Sequence, residues 1–487
     1  MFLKNLFTGI LLCCSILLFT DTWYCTAETI ATADTAEESM DDFEDSGDLD
    51  DFESSEEPTD TIVQEAGKKR LPSFIDLNGD LTFSIVDNIS QKKPEAGQTD
   101  WRDISSLKTD LFLELDISLP ASWKIKISGN AFYDALFSLN DRDDYSDDVL
   151  DEEESGAELR KAYISGSIIS GLDIKVGRQI VVWGKSDNIR VTDVLNPVNM
   201  KAPGITDLED MRLPVFMTKL DYYLGPFNLS AIAIHEKRFN KLPEPGSDYF
   251  FYPLIIPEKE PAEHSSNTEY GVALNGTFSG WDASLYYADY YDKTPYFNIV
   301  TFADANFEFI YSRQTMIGGD VNVAFGNLLV KSEVAFFKNV NFSDYITIID
   351  NIYFRREVQK RFNTLKSLGG LEYSGFSDTT LTIETMNTHV WDVDNHSAEA
   401  AISEDSWETT IRVTRNFFND MLSTTALAML YGSSLDEGSI VRLSCDYDMT
   451  DDFVITLGAI FYDGDEMMLL SNIKDSDRVY ANFKYSF

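Results

Sequence analysis

Cysteine is nearly absent from this chain. Of four in 487 residues, Cys13, Cys14 and Cys25 fall within the first 27. Only Cys445 lies beyond them, so no intramolecular disulfide and no cysteine metal site can form there. Histidine is equally sparse, represented by His235, His264, His389 and His396. The stretch "HVWDVDNH" (His389–His396) gathers two His and two Asp, but its spacing matches no standard metal motif. A Gly-rich phosphate loop and a nucleophile elbow are both missing. The neighbours His264 and Ser265 form a dipeptide that loops carry by chance. These absences point to no enzyme, no metal and no cofactor. Positive charge is also short: 39 Lys and Arg stand against 82 Asp and Glu, for a net −43. That excludes nucleic acid as a partner. Past residue 70 there is no apolar run of about 18 residues, so no helix of this region spans a membrane.

What is present begins with a targeting segment. Lys4 precedes the apolar run "LFTGILLCCSILLF" (Leu6–Phe19), and "CTA" (Cys25–Ala27) is a small-residue cleavage site. Residues 1–27 therefore read as a signal peptide. A lipoprotein role for Cys25 is disfavoured by the bulk of Trp23 and Tyr24. Residues 28–70 hold sixteen acids and three bases, and carry the approximate repeat "DDFEDS" (Asp41–Ser46) and "DDFESS" (Asp50–Ser55). Isolated Phe43 and Phe52 among carboxylates cannot build a core, so this is a disordered acidic segment on the periplasmic side. It is either a solvating tether or a docking site for a basic periplasmic partner, with each Phe as an anchor.

The remainder, 71–487, alternates with period 2. In "LKTDLFLELDISL" (Leu107–Leu119) one face carries Leu111, Leu113 and Leu115, and the other Asp110, Glu114 and Asp116. Lys331 and Glu333 oppose Val330 and Val334 in the same way. Arg442 opposes Val441 and Cys445, which places Cys445 toward lipid. About a dozen alternating residues suit a tilted strand crossing a bilayer. Polar faces of mixed sign suit a water-filled interior, so Glu114, Asp116, Lys331, Glu333 and Arg442 are assigned to the lumen. Short turns fall near Pro120, Ser170, Gly225-Pro226, Ser279-Gly280, Gly326-Asn327, Gly375, Asn419 and Thr450. Between them lie long polar loops. This is an all-β chain, a transmembrane antiparallel β-barrel of about 18 strands with 16 as the alternative count. The first strand lies near Leu81–Ile85. The last is "RVYANFKYSF", in which Phe483, Tyr485 and the terminal Phe487 share a face. It looks like the signal read by the outer-membrane barrel assembly machinery. An even strand count puts both termini in the periplasm of a Gram-negative cell. The partners are then outer-membrane lipid and lipopolysaccharide. The oligomeric state is open, a trimer being one arrangement.

On this count Val176–Trp183 ends the fifth strand, and residues 184–213 form the third long loop. In general porins the third loop folds into the lumen and narrows it. The resemblance makes Lys185, Asp187, Arg190, Asp193, Asn196, Asn199, Asp207 and Arg212 candidates for a pore constriction, with Lys201, Glu209 and Asp210 nearby. Opposed acids and bases in a narrow pore set up a field that sorts solutes by charge and dipole. The alternative is that the loop plugs or braces the wall with its charges paired.

"LRKAYI" (Leu159–Ile164) followed by "GRQIVVWGKSDNIRVTDVLNPVN" (Gly177–Asn199) resembles an uncharacterised family of proteobacterial outer-membrane porin-like barrels marked by a "GRQ…WG…NP" stretch. The match is specific over residues 157–235. The resemblance implies an outer-membrane barrel and brings no catalytic residue. It also implies association with an inner-membrane exporter of the resistance-nodulation type and a periplasmic lipid-binding-like protein, handling hydrophobic substrates. The leading expectation is a porin-like channel for passive passage of small solutes, with cations or neutral solutes preferred on account of the acidic excess. An export or lipid-transfer conduit is the alternative, and an outer-membrane barrel enzyme the third.

Overall fold

The computed structural model describes residues 72–94, 98–250, 256–262, 267–301, 306–343, 345–349, 352–356, 361–393, 402–464 and 468–487. The readings of residues 1–27 and 28–70, of the His264–Ser265 pair and of His396 lie outside them.

The period-2 pattern resolves into eighteen strands of one antiparallel sheet. They are β1 (Ile75–Asn88), β2 (Asp103–Leu119), β3 (Trp123–Asp134), β4 (Ser155–Ile169), β5 (Leu172–Gln179) and β6 (Val215–Leu224). Then follow β7 (Phe227–Ile234), β8 (Glu269–Phe278), β9 (Trp281–Tyr291), β10 (Arg313–Phe325), β11 (Leu328–Val340) and β12 (Phe362–Phe376). The last six are β13 (Thr379–Val390), β14 (Asp405–Phe417), β15 (Leu422–Tyr431), β16 (Gly438–Thr450), β17 (Phe453–Asp463) and β18 (Arg478–Ser486). Each pairs with the next. β1 also pairs with β18, from Asp80 opposite Ser486 to Asn88 opposite Arg478, so the sheet closes and has no free edge. Eighteen is therefore the count, not sixteen.

The connections alternate as the turn residues dictate. Ser279-Gly280 makes a two-residue hairpin with Gly280 at φ +80, the left-handed conformation such turns need. One turn falls later than the sequence placed it. The β12 register shifts between Tyr373 and Phe376, so the strand runs past Gly375 and turns at Ser377-Asp378 instead. Two strand bounds also differ. β1 begins at Ile75, before Leu81, because Ile75 to Phe83 find partners on β2. β5 stops at Gln179, before Trp183, because the Val181 N–H leaves the wall and donates to Asn196 Oδ1 at 2.9 Å.

The two faces of the wall differ sharply. Leu285, Ile317, Val334 and Leu457 are 44–65% exposed on the outside. Aromatic side chains stand out from both rims: Phe227, Trp281, Phe325, Tyr447 and Tyr485 near the short turns, and Tyr133, Phe216, Tyr270 and Trp407 toward the long loops. A closed barrel with an apolar outer belt between aromatic girdles is a membrane-spanning barrel. Cys445 shares the outward face of β16 with Val441 and Tyr447 and is partly exposed.

The interior departs from the all-polar reading. Toward the long loops, inward positions on the wall are apolar: Met217, Ile232, Ala288, Met316 and Ala335 are buried beneath Trp183, Ile189, Val191 and Leu195. A second apolar cluster joins Ile440, Ile460 and Tyr462 to Tyr249, Leu470 and Ile473, with Ala202 and Ile205 against it. Alternation in the sequence reports a difference between faces, and it fades where both faces are apolar. Polar inward residues persist nearer the short turns. Lys126 reaches Glu114 at 2.9 Å and Asp116 at 3.5 Å.

Glycines admit large rings on the inner wall. A Cβ at Gly458 would lie 2.1 Å from the Tyr480 ring on the paired strand. Gly458→Val should displace Tyr480 and cost about 1–3 kcal/mol, the usual range for overpacking. The check is the temperature at which the folded barrel loses its compact electrophoretic mobility. An unchanged temperature would contradict the packing.

Candidate functional site

The segment that follows β5 makes two sets of contacts with inward-facing wall residues. The first set is a clasp on two buried glutamates. Glu333 of β11 is 1% exposed, and Glu384 of β13 is fully buried. Glu333 accepts from the backbone N–H of Lys185 at 2.5 Å and of Ser186 at 2.7 Å, and from Thr192 Oγ1 at 3.0 Å. Glu384 accepts from the backbone of Asp187 at 3.0 Å and Asn188 at 3.1 Å, and from Ser186 Oγ at 2.9 Å. A buried carboxylate costs several kcal/mol to desolvate. Charge-assisted bonds offset that cost, and here a loop of consecutive amides supplies them.

The local sequence explains why the chain can bend this way. Gly184 sits at φ +88, and a Cβ there would lie 2.7 Å from Glu333 Oε2 and from Thr192 Oγ1. Trp183 just before it stacks on Tyr286 of β9 with centroids 4.9 Å apart, and the Tyr286 hydroxyl donates to Asp320 at 2.6 Å. The "WGKS" of the motif is thus an anchor ring, a hinge glycine and two donor amides.

The second set lies on the strands that follow, from β14 to β17. Arg442 of β16 donates to the Ile205 carbonyl at 2.8 Å and to the Asp207 carboxylate. Arg412 of β14 approaches Asp207 at 3.3 Å. Tyr462 donates to the Pro203 carbonyl at 2.7 Å. Burial pushes the Asp207 carboxyl up, but the two guanidiniums outweigh it and hold it below its ordinary value.

The sequence-picked residues divide by role. Lys185 pairs with Asp282 at 3.2 Å, and Asp187 pairs with Lys331 at 2.6 Å; Lys331 also reaches Glu372 at 3.1 Å. Asp187 and Asp207 keep side chains 46% and 37% exposed. Asp193, Asn196 and Arg212 are buried and bond within the segment. Arg212 and Arg190 both hold Asp193, at 2.9 and 3.3 Å. Asn196 bonds the backbone at Val181 and Leu213, each at 2.9 Å. Those three residues stabilise the loop's own shape. Asn199 is exposed and caps the Lys201 N–H at 3.1 Å, Lys201 pairs with Glu152 at 2.9 Å, and Glu209 and Asp210 are exposed on the short helix Leu208–Met211. Phe483 meets Phe83 across the closing strand pair, and Phe487 exchanges backbone bonds with Gly79 at 2.9 and 3.0 Å.

Several partners were not legible in the sequence. Glu384, Thr410 and Arg412 look like any inward residues of alternating strands. The fourth long loop was read only as a loop. Its Asp248 accepts from Gln91 at 2.9 Å and from Asn88 and Arg478 at 3.0 Å, where β1 meets β18. Among the described residues, no cluster of three or more His, Cys, Asp or Glu could hold a metal ion.

Closure, the apolar outer belt and the charged inner face define a membrane-spanning β-barrel of eighteen strands. The chain belongs to the family described as "Protein of unknown function (DUF1302)", whose model matches residues 87–487. Its structure is similar to that of OccAB3 from Acinetobacter baumannii, at 11% identity and a TM-score of 0.49, covering 85% of this chain and 99% of that one. It is also similar to OccK5 (OpdH) from Pseudomonas aeruginosa, at 9% identity and a TM-score of 0.47, covering 85% and 98%. No curated protein sequence matches the chain.

Two outcomes follow from the contacts. Glu333→Ala should leave the Lys185, Ser186 and Thr192 donors unpaired in a buried site and cost about 3 kcal/mol locally. Limited proteolysis should then cut within 184–192 while the wall strands stay intact; a loop as resistant as in the wild type would count against the clasp. The second outcome concerns Glu153, in the loop between β3 and β4. Burial pushes its carboxyl up to about 7, against the pull of Lys201 and Lys108. A raised acid favours the folded loop when protonated. That contribution is full below the ordinary value of 4.5 and is lost as pH rises toward 7. Hydrogen exchange of residues 147–154 should accelerate between pH 5 and pH 8 beyond the intrinsic rate change, and Glu153→Gln should remove the excess.

Proposed function

We propose that the protein is an outer-membrane channel through which small solutes pass without catalysis, with a bore set by the third loop. The observation that carries this is the double attachment of residues 184–207 to inward-facing groups, Glu333 of β11 and Glu384 of β13 in one set and Arg442 of β16 and Tyr462 of β17 in the other. A loop held at both ends inside a closed wall narrows the lumen. The short-turn rim, where β1 begins and β18 ends, faces the periplasm. Residues 28–70, with their acidic Phe repeats, are the segment for a periplasmic partner, and lipid and lipopolysaccharide surround the belt. The C-terminal Phe483, Tyr485 and Phe487 serve recognition by the assembly machinery.

A second reading is favoured by the apolar inner wall beneath Trp183 and Leu195. If the clasp releases, that surface would accept hydrophobic cargo, as an export or lipid-transfer conduit requires. Planar-bilayer recording of the purified barrel separates the two. Steady ohmic conductance supports the channel, and Glu333→Ala combined with Glu384→Ala should raise it. A silent barrel whose 28–70 segment binds a periplasmic protein supports the conduit and overturns the channel.

A further inference from the structure

A row of inward wall residues beside the two attachments of the third loop is electrically asymmetric. Register pairing lines up Glu372, Thr382, Arg412, Leu427 and Arg442 across β12 to β16, one inward residue per strand. At the β12 end, Lys331 is shared by Asp187 and Glu372, at 2.6 and 3.1 Å. One cation against two carboxylates leaves a net −1. At the β14–β16 end, Asp207 is shared by Arg412 and Arg442. One carboxylate against two guanidiniums leaves a net +1. Neither group is sealed away: Asp187 and Asp207 are 46% and 37% exposed, Arg412 is 29% exposed and Glu372 22%. Glu372 and Arg412 stand two strands apart, roughly 10 Å from the inter-strand spacing. The Thr382 hydroxyl lies between them in the row. Without Asp187 and Asp207 the wall residues alone sum to 0 at the first end and +2 at the second, so the two-charge difference belongs to the wall and the loop residues only centre it.

The geometry points to this row as the selectivity element of the channel, tuned to small zwitterions. Their ammonium group would face Asp187 and Glu372, and their carboxylate would face Arg412. A fixed transverse field of this sign stabilises a dipole lying across the pore and gives little to a neutral solute of equal size. The two pairs cancel each other, and Glu384, two residues from Thr382 and held by amides and hydroxyls, adds further negative charge beside the β12 end. This inference rests on the channel reading above and adds to it the solute class and two residues, Glu372 and Arg412, that lie outside the clasp.

The test pairs planar-bilayer recording in KCl with swelling of proteoliposomes in glycine and in glycolamide, its neutral isomer. The wild type should conduct and should admit glycine faster than the neutral solute. Glu372→Gln and Arg412→Gln should each abolish that preference and should shift the reversal potential in opposite directions, toward anions and toward cations respectively. Retained compact mobility on electrophoresis shows that each variant is folded. Conductance with no wild-type preference, or with both variants behaving as wild type or shifting the same way, overturns this inference and leaves the channel standing. A wild-type barrel that does not conduct overturns both.

Discussion

The arrangement inside this barrel depends on two carboxylates that have no water. Glu333 and Glu384 sit on inward faces of neighbouring hairpins with almost no exposed surface. Left alone there, each would carry a desolvation cost of several kcal/mol. What keeps them satisfied is a short run of backbone amides from Lys185 to Asn188, presented because Gly184 can adopt a conformation that an L side chain would block. The dependence is mutual. Without the glutamates those amides would be buried donors without acceptors, a cost of about 1–3 kcal/mol apiece. The clasp therefore couples the loop to the wall more tightly than surface ion pairs could, since those contribute at most about 1 kcal/mol.

That coupling explains why the interior is layered. Once the clasp holds Trp183 over the wall, Ile189, Val191 and Leu195 follow it down onto Met217, Ile232 and Met316. Apolar inward residues are then needed on those strands, where an open pore would call for polar ones. Nearer the short turns, Lys126 with Glu114 and Asp116 keeps the polar character of a wetted surface. One loop attachment thus divides the lumen into a packed layer and a polar layer.

The barrel was legible because its signals are local. Alternation over Leu107–Leu119 assigns lipid and lumen faces residue by residue, and Ser279-Gly280 or Gly225-Pro226 punctuate it. The bounds were less legible where register enters. Gly375 looks like a turn, yet a bulge carries β12 past it, and bulges depend on the partner strand. The loop was legible only as a polar list. Asp187 and Asp193 are equivalent on paper, but one remains 46% exposed beside Lys331 and the other is buried between Arg190 and Arg212. That difference comes from contacts across as many as 144 positions of sequence, as for Asp187 and Lys331. No spacing rule reaches so far. Glu384 was missed for the same reason: its partners are backbone amides, and an amide leaves no mark in a sequence.

The overall charge of the chain is a poor guide to its lumen for a related physical reason. A charge acts on a passing solute through its distance and its neutralisation, and screening removes most of the effect of exposed carboxylates beyond about 10 Å. The net charge of the chain includes the thirteen-charge acidic excess of residues 28–70, which contributes no residue to the row that includes Glu372 and Arg412. Within that row, pairing decides the outcome. Lys331 leaves one of two carboxylates unbalanced, and Asp207 leaves one of two guanidiniums unbalanced. Two residuals of opposite sign, two strands apart in one row, make a dipole where the composition alone suggests a uniform negative field. The wall residues alone, Lys331 with Glu372 against Arg412 with Arg442, already differ by two charges, so this asymmetry is built into the strands.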